Sequence, residues 1–408
     1  MAQPPFLESI RPVNLLSFGP NTEEIELKPL NILIGPNGSG KSNLIEVIRL
    51  LSLLPEKEPW SVVLETGGVD EWIWKGNRGQ SLRASLSAKI SWDMSHSYTG
   101  PPLVSQYDIG LDRFQNSFRV STESVQVPGG YNPTNSRFLR SGAQGELHLR
   151  QTLYEESPVR FDLIQDQSVL SQLSSRALVE AGVSFYLPET LEIRDFFDSF
   201  DFHQDWEFGA DLTPRDPVPV GQSVKRLEEN GYNLAQMLAY LRDYHRPVFE
   251  RINELMKKFY EPFESLDIRL IGTHLQLAIN EKDGISVSAY RLSDGTLRWL
   301  ALLTILLNPT PGPVTCIDEP ELGLHPDAIH TLADLLVDAS TRTQLIVTTH
   351  SDALLDAFTE TPEAVCVCEK VEGSTVIRRL DKERLKVWLK DYSLGHLWMS
   401  GEIGGNRW

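Results

Sequence analysis

The chain has 408 residues, of which 41% are hydrophobic, so it can bury a large core in one or two domains and is not a disordered chain. Its net charge of −18 repels nucleic acid on average, so a nucleic-acid contact requires a local basic patch. Three cysteines exclude a disulfide scaffold, and neither a secretory signal nor a membrane-length apolar run is visible, so we expect a cytoplasmic protein without a membrane partner.

The first predicted elements are short strands. Apolar segments at Val13–Phe18, Ile25–Leu27 and Leu30–Ile34 predict three of them. The helical spacing of Asn43–Leu54 predicts a helix that ends at Pro55. The third strand and this helix flank a glycine-rich segment, and the order strand, glycine loop, helix is the one that a phosphate-binding loop requires.

The middle of the chain changes from strand patterns to helix patterns. Polar and apolar residues alternate over residues 81–166, which predicts an antiparallel β region. Residues 168–177 and 224–264 have helical spacing. The segment 201–219, rich in proline and acidic residues, is predicted to be a loop between them.

The last third of the chain alternates strands and helices. Residues 268–290 are predicted as strands, and a helix is predicted after Ser293. A buried strand is predicted at Val314–Ile317, followed by alternating helix and strand up to Val376. Such alternation predicts a parallel sheet in this part of the chain.

The glycine-rich segment, here called the nucleotide loop, reads GPNGSGKS. We predict that nucleotide is bound by this loop and the residue after it: Gly35, Pro36, Asn37, Gly38, Ser39, Gly40, Lys41, Ser42 and Asn43. Glycines let backbone N–H groups point at phosphate oxygens, and the helix N-terminus adds partial positive charge. Lys41 is expected to reach the β- and γ-phosphates and the Ser42 hydroxyl to ligate Mg²⁺, so ATP and Mg²⁺ are the expected ligands.

A second motif consists of two adjacent carboxylates at the end of the predicted strand Val314–Ile317. Asp318 is predicted to hold Mg²⁺, and Glu319 to orient or deprotonate the attacking water. Alone, an apolar run followed by two acidic residues is more often an ordinary strand end. Its combination with the nucleotide loop favours the catalytic interpretation.

Two further motifs are less specific. Ser293, Asp294 and Gly295 open a predicted helix and can form an anion site, although alone such a pattern is more often a simple serine N-cap. His350 follows a predicted strand, where it can bond a γ-phosphate or the attacking water or be purely structural.

In sequence order, GPNGSGKS, LSDGT, TCIDEPELGLHP and VTTHS resemble the motifs of ABC-type ATPases, and specifically their SMC/RecF-like branch of RecF/OLD-related, stand-alone AAA family ATPases. The resemblance identifies LSDGT as the signature, Glu321–Pro326 as the D-loop and His350 as the switch histidine. It implies an α/β P-loop NTPase head with a mixed sheet, an antiparallel β subdomain and a helical lobe. The predicted regions are residues 1–167 (N-terminal ATPase lobe), 168–265 (Q-loop and helical lobe), 266–376 (C-terminal ATPase lobe) and 377–408 (basic tail).

The resemblance also implies a Q-loop glutamine that contacts Mg²⁺. Gln172, in SVLSQ, is the first choice for this metal ligand, and Gln80 is the alternative. A surface glutamine without a role in the site is a third interpretation of Gln172.

In this family two ATP-bound heads enclose the nucleotides, so the resemblance implies a homodimer on ATP binding, with Ser293 and Gly295 acting on the other chain's nucleotide. Because no nuclease or TOPRIM-like half is recognisable after residue 370, the first functional hypothesis is a switch for a separately encoded effector of that kind in anti-phage defence. The second is a RecF-like DNA repair or maintenance ATPase. It is motivated by basic residues at 378–390, which can also be a solvated helix face.

Overall fold

The computed structural model describes residues 6–76, 83–92, 103–126, 136–141, 144–150, 156–172, 188–204, 213–221 and 224–405. The strands in these residues are β1 (Phe6–Val13), β2 (Ile25–Glu26), β3 (Leu30–Ile34), β4 (Arg83–Trp92), β5 (Leu103–Phe114), β6 (Ser117–Gln126), β7 (Ser136–Ser141), β8 (Gln144–Arg150), β9 (Glu156–Asp162), β10 (Asp201–His203), β11 (Val218–Pro219), β12 (Phe263–Ile271), β13 (His274–Glu281), β14 (Ile285–Ser288), β15 (Val314–Ile317), β16 (Gln344–Thr348), β17 (Val365–Val371) and β18 (Ser374–Arg379).

The α-helices in the same residues are α1 (Lys41–Leu53), α2 (Ser61–Glu65), α3 (Val69–Trp72), α4 (Val169–Gln172), α5 (Pro188–Asp198), α6 (Leu234–Tyr244), α7 (Arg246–Phe259), α8 (Asp294–Leu306), α9 (Asp327–Ala339), α10 (Asp352–Asp356), α11 (Lys382–Leu385) and α12 (Leu394–Met399). No helix in these ranges is long and apolar enough to cross a membrane.

A central six-stranded sheet positions the site. Its strand order is β10-β15-β16-β3-β17-β18, and all neighbours are parallel except the hairpin of β17 and β18. Every residue of β3, β15 and β16 is buried, as expected for parallel strands covered on both faces. This confirms the predicted parallel sheet at the end of the chain.

The two faces of this sheet pack against different helices. Leu33 belongs to the core cluster that contains the buried side of α1, whereas Ile32 and Ile34 belong to the cluster that contains α8 and α9. Successive residues of a strand point to opposite faces. The helix after the nucleotide loop and the helix after the signature therefore lie on opposite faces of the central sheet.

An eight-stranded antiparallel sheet covers the outer side of α1. Its strand order is β2-β1-β4-β5-β6-β7-β8-β9, and its core residues share one cluster with α1. Burial alternates along β4, which leaves one face of the sheet packed on the core. The predicted antiparallel β region is confirmed.

The other side of the central sheet carries a small antiparallel sheet and helices. Strands β11, β13, β12 and β14 form this sheet, and α6 and α7 pack in the same core cluster as α8 and α9. The buried residues of α7 recur at helical spacing, which explains why this helix was recognisable in the sequence: Phe249, Ile252, Leu255 and Met256. The predicted α/β fold with a mixed sheet, an antiparallel β subdomain and a helical lobe is confirmed.

Three of the predicted element boundaries are wrong. The first strand is β1, and the predicted strand Val13–Phe18 is instead a turn with positive φ at Asn14 and Leu16. Leu15 and Phe18 of this turn are buried, so the apolar spacing resembles that of a strand. The predicted helix 224–264 begins only at Leu234 and ends before β12, and the predicted loop 201–219 contains the edge strand β10.

The predicted basic tail is folded onto the core. Strand β18 crosses the proposed boundary after residue 376, and Leu394, Leu397, Trp398 and Ile403 are buried in the cluster that contains Ile32 and Ile34 of β3. Trp398 is thus a packing anchor of this segment.

Candidate nucleotide-hydrolysis site

The nucleotide loop connects β3 to α1, and its path depends on glycine. Gly35, Gly38 and Gly40 have φ of 149°, 75° and 100°. A Cβ on Gly35 would lie 2.3 Å from the carbonyl oxygen of Cys368, and one on Gly40 would lie 2.2 Å from Thr375 Oγ1. Because both positive φ and close packing exclude a side chain, only glycine fits at positions 35 and 40.

The N-terminus of α1 is left open for an anion. The helix begins at Lys41 without a side-chain cap, and its first turn contains no acidic residue. Its first backbone N–H groups therefore need another partner, and a phosphate group is a suitable one. The buried hydroxyl of Ser39, which has no hydrogen-bond partner among the described residues, also fits a phosphate-binding loop.

Lys41 lies over the loop. Its Nζ donates to the carbonyl oxygens of Gly35 at 2.8 Å and Pro36 at 3.2 Å. Burial lowers the pKa of Lys41, and the nearby charges of Glu319 and Asp318 act in the opposite direction. Lys41 is thus held by the loop carbonyls, close enough to Asp318 and Glu319 for the charges to interact.

The hairpin of β17 and β18 packs against the nucleotide loop and is hydrogen-bonded to it. Thr375 Oγ1 bonds the carbonyl oxygen of Ser39 at 2.8 Å and Ser17 Oγ at 2.7 Å. Thr375 N donates to the carbonyl oxygen of Ser17 at 2.8 Å. These buried bonds tie the nucleotide loop to two distant segments of the chain.

Asp318 and Glu319 follow β15 directly and are held by the end of β16. Thr348 Oγ1 donates to Asp318 Oδ1, and Glu319 N donates to Thr348 Oγ1 at 3.1 Å. Glu319 has a positive φ of 45°, an uncommon conformation for glutamate that turns the chain sharply after the strand. One threonine thus fixes both carboxylate residues relative to the central sheet.

His350 and Glu319 lie close together. His350 Nε2 is 3.5 Å from Glu319 Oε1. His350 N donates to Glu321 Oε1 at 3.0 Å, and Thr349 Oγ1 donates to the same oxygen at 2.6 Å. Burial raises the pKa of Glu321, and its Oε2 has no hydrogen-bond partner among the described residues. Glu321 therefore ties the D-loop to the backbone of the switch histidine.

The signature caps α8 with its own serine. Ser293 Oγ accepts from Thr296 N at 3.2 Å and lies 2.8 Å from Thr296 Oγ1. Ser293 and Asp294 are exposed to solvent. Behind them, buried Arg215 forms an ion pair with Asp294 and donates to the carbonyl oxygen of Leu292 at 2.7 Å. The local structure confirms a serine N-cap and presents it outward.

The signature helix also contacts the D-loop of the same chain. A Cβ on Gly295 would lie 2.8 Å from the carbonyl oxygen of Gly323, so this glycine allows close approach. Arg298 Nη1 donates to the carbonyl oxygen of Leu322 at 2.7 Å. Burial lowers the pKa of Arg298, and the charges of Asp294, Glu319 and Glu321 act in the opposite direction. The D-loop thus joins the signature helix to the carboxylates at the sheet edge.

Comparison with known proteins identifies the family. Residues 30–85 and 140–356 match the family described as "AAA domain, putative AbiEii toxin, Type IV TA system". The chain belongs to this AAA-domain family. The match includes the strand and loop of the nucleotide site, both carboxylates, the signature and His350.

Individual relatives agree with this assignment. The "Old nuclease" of Escherichia phage P2 is 29% identical over 388 residues, which is 90% of this chain and 60% of that protein. The chain thus spans less than two thirds of that relative. An Smc head bound to the C-terminal winged-helix domain of ScpA has a TM-score of 0.56 at 14% identity, covering 93% of this chain and 99% of the other. An Smc head bound to a ScpA C-terminal domain from Pyrococcus furiosus has a TM-score of 0.54 at 14% identity, covering 95% and 99%.

Together these matches show the fold of an Smc head and place this AAA-domain protein in the SMC/RecF-like branch of the ABC-type ATPases. The predicted recognition and fold class are confirmed. The structure brings Lys41, Asp318, Glu319 and His350 to one edge of the central sheet, where β3, β15 and β16 end.

The two glutamine candidates remain predictions. The Gln172 side-chain amide donates to the carbonyl oxygen of Ser168 at 3.2 Å and accepts from Ile164 N at 2.9 Å. These bonds hold it against the segment that precedes α4. Gln80 lies outside the described residues.

The donor set fits a magnesium nucleotide. Ser42 is exposed at the first turn of α1, and Asp318 offers a carboxylate near Lys41. Mg²⁺ is usually held by one or two protein oxygens together with phosphate oxygens and waters. In this AAA-domain protein Ser42 and Asp318 are the residues that would hold it, and bound Mg²⁺ would neutralise charge on the phosphates.

Several supporting residues could not be identified in the sequence. Thr348, Arg215 and Thr375 each bond a motif that lies at least 30 residues away in the chain. Among the supporting residues, only Glu321 can be recognised in the sequence, because it opens the D-loop motif ELGLHP. The others became visible through the parallel strand order and the long-range hydrogen bonds.

Proposed function

We propose that this protein binds ATP with Mg²⁺ and hydrolyses it to ADP and phosphate. The observation that carries the proposal is the convergence of the nucleotide loop, Asp318, Glu319 and His350 at one sheet edge. The open N-terminus of α1 binds the phosphates, and Lys41 reaches the β- and γ-phosphates. Glu319 orients or deprotonates the attacking water, and the neighbouring His350 bonds the γ-phosphate or that water.

The direct test is phosphate release from ATP and Mg²⁺ by the purified chain. Lys41→Ala should remove this activity because it deletes the cation that stabilises the transferred phosphate. Lys370→Ala, which changes a lysine of the neighbouring strand β17, serves as the control and should retain activity. Equal rates in the wild type and Lys41→Ala would contradict the proposal.

We further propose that two copies enclose the nucleotides. The signature presents Ser293 and Asp294 to solvent, and the nucleotide-loop helix and the signature helix lie on opposite faces of the sheet. Each chain thus carries two halves that face different directions, and a second copy can bring the signature over the loop. In this arrangement Ser293 and the backbone of Gly295 stabilise the γ-phosphate held by the partner copy.

For the biological role, we propose an ATP-dependent switch that controls a separately encoded effector, a nuclease or TOPRIM-like protein, in anti-phage defence. The family description names a toxin and a toxin–antitoxin system, and one relative is named a nuclease. Affinity purification of the tagged chain from its native host, with and without ATP, should recover a partner only in the ATP-bound form. The partner's gene should lie beside that of the chain, and recovery of the same proteins with Lys41→Ala would count against the switch.

The alternative role, a RecF-like DNA-binding ATPase, has less support from the basic segment. Arg379 donates to the carbonyl oxygen of Glu363 at 2.9 Å, and Arg378 donates to that of Ile403 at 3.2 Å, so both serve the fold. Lys386 is paired with Glu383 at 3.2 Å. DNA-stimulated ATP turnover with a steep salt dependence of binding would favour this role over the effector switch.

A further inference from the structure

The residues that follow α12 bring Gly405 against the nucleotide loop. Gly404 and Gly405 have φ of 81° and 62°, so the chain turns in the left-handed region where glycine is favoured. A Cβ on Gly405 would lie 2.7 Å from Val367 Cγ1 and 3.4 Å from Gly35 Cα. The backbone of Gly405 therefore packs directly on the first residue of the loop.

Gly405 is fixed on both sides by hydrogen bonds. Its N–H donates to Glu369 Oε1 at 2.7 Å, and its carbonyl oxygen accepts from Trp398 Nε1 at 2.7 Å. Trp398 is 1% exposed and belongs to the core cluster. Arg378 Nη2 donates to the carbonyl oxygen of Ile403 at 3.2 Å and fixes the turn two residues before Gly405. The turn is thus anchored to β17, β18 and α12.

Gly35 also packs on β17. A Cβ on Gly35 would lie 2.3 Å from the carbonyl oxygen of Cys368, so the residue has no room to move in that direction. The carbonyl oxygen of Gly35 is the group that accepts the 2.8 Å bond from Lys41 Nζ. A shift of Gly35 would therefore displace the carbonyl that positions the phosphate-binding lysine.

We propose that residues 394–405 form a brace on the nucleotide loop and that Gly405 is a positioning residue for ATP binding. The proposal rests on the proposed ATPase function and assigns a role to a segment that this function does not use. The brace holds Gly35 and, through it, Lys41 in the geometry that receives the phosphates. Loss of the brace should weaken nucleotide binding, because a loop that is no longer preorganised must be ordered when the nucleotide binds.

The test compares Gly405→Ala with Gly272→Ala. Gly272 has nearly the same φ, 61°, but a Cβ there would meet no atom within 4 Å. Both variants place a side chain at positive φ, and only Gly405→Ala adds a clash, because its Cβ would lie 2.7 Å from Val367 Cγ1 and the turn beside Gly35 or β17 would have to shift. Trp398→Phe removes the donor to the Gly405 carbonyl together with part of the buried ring and supplies a second variant that leaves Gly405 itself unchanged.

Affinity for the non-hydrolysable analogue AMP-PNP with Mg²⁺ is measured by calorimetry, and KM and kcat are measured with ATP. Gly405→Ala should lower the affinity and raise KM by about tenfold with kcat at saturating ATP nearly unchanged. Trp398→Phe should shift KM in the same direction by less, and Gly272→Ala should match the wild type. A purely structural defect would instead reduce the active fraction and lower kcat without changing KM.

The outcomes separate the two proposals. If the wild type and Gly272→Ala bind AMP-PNP but folded Gly405→Ala binds it equally well, the brace is refuted and the ATPase stands. If Gly405→Ala does not fold, Trp398→Phe decides, since an unchanged KM in that variant also refutes the brace. If the wild type binds no nucleotide, the ATPase proposal fails and the brace fails with it.

Discussion

The nucleotide loop and the signature are both helix N-termini, but they are built differently. Helix α1 begins after a left-handed glycine and has no side-chain cap, whereas α8 is capped by Ser293. The loop is packed so closely that a Cβ on Gly40 would clash with Thr375, while Ser293 and Asp294 are exposed to solvent. One terminus is therefore prepared to receive phosphate within its own chain, and the other is presented to a partner. A site that combines the loop of one chain with the signature of another, here called the composite site, requires this difference.

The largest expected effect comes from Glu319→Gln, which keeps the loop intact and removes the proposed base. We expect hydrolysis to fall by about 10²- to 10⁴-fold while ATP binding persists. The variant should therefore accumulate as an ATP-bound dimer, detected by light scattering after size-exclusion chromatography with ATP and Mg²⁺.

Glu372→Gln is the matched control, because Glu372 also has positive φ, 51°, but lies in the turn between β17 and β18. It should behave like the wild type. A Glu319→Gln variant that binds ATP but stays monomeric would contradict the proposal that the loop of one chain pairs with the signature of another.

Gly40→Ala tests the close packing of the nucleotide loop. The new Cβ would lie 2.2 Å from Thr375 Oγ1 and 2.6 Å from Ser17 Oγ. Backbone strain costs about 1–3 kcal/mol and overpacking costs about as much again, so unfolding in urea should shift strongly and ATP binding should be lost.

Gly38→Ala supplies the comparison within the same loop. Gly38 also has positive φ, 75°, but a Cβ there would meet nothing within 4 Å. Its stability loss should be limited to the backbone strain. Equal losses in the two variants would show that the packing of the loop on Thr375 and Ser17 contributes nothing.

Arg215→Ala tests the signature side. This buried side chain supports the signature through Asp294 and the carbonyl oxygens of Ala289 and Leu292. Leaving these carbonyl groups unpaired should lower the free energy of unfolding by about 1–3 kcal/mol and reduce hydrolysis, with ATP binding by the single chain retained.

Arg269→Ala is the control, since Arg269 forms an exposed pair with Asp267 at 2.6 Å, and such pairs contribute about 0–1 kcal/mol. Loss of ATP binding in a folded Arg215→Ala variant would show that the two regions are not separate half-sites.

The smallest effect is expected at Glu321, where the D-loop joins the two regions. Burial raises the pKa of this carboxyl above its ordinary value of 4.5, so the native state retains its proton to higher pH than the unfolded state does. The wild type should therefore lose stability relative to Glu321→Gln as the pH rises through 4.5 and toward the raised pKa. Melting temperatures of both proteins between pH 4.5 and 8 measure this, and parallel curves would contradict it.

The motifs could be predicted because they are local in sequence. GPNGSGKS, the strand before Asp318 and the serine N-cap at Ser293 each depend on a few adjacent residues. Arg215 could not be predicted, because it lies in a segment expected to be a loop, 79 residues before its partner Asp294. The strand prediction at residues 13–18 failed because buried apolar residues of a tight turn have the same pattern as a strand.

A mixing experiment tests whether each nucleotide loop works with the signature of a second copy. Lys41→Ala inactivates the loop and Ser293→Arg blocks the signature, and each variant alone should lack ATPase activity. Mixed in equal amounts, half of the dimers combine both variants and have one intact site, so about a quarter of the wild-type rate should return. A mixture that stays as inactive as its components would contradict the composite site.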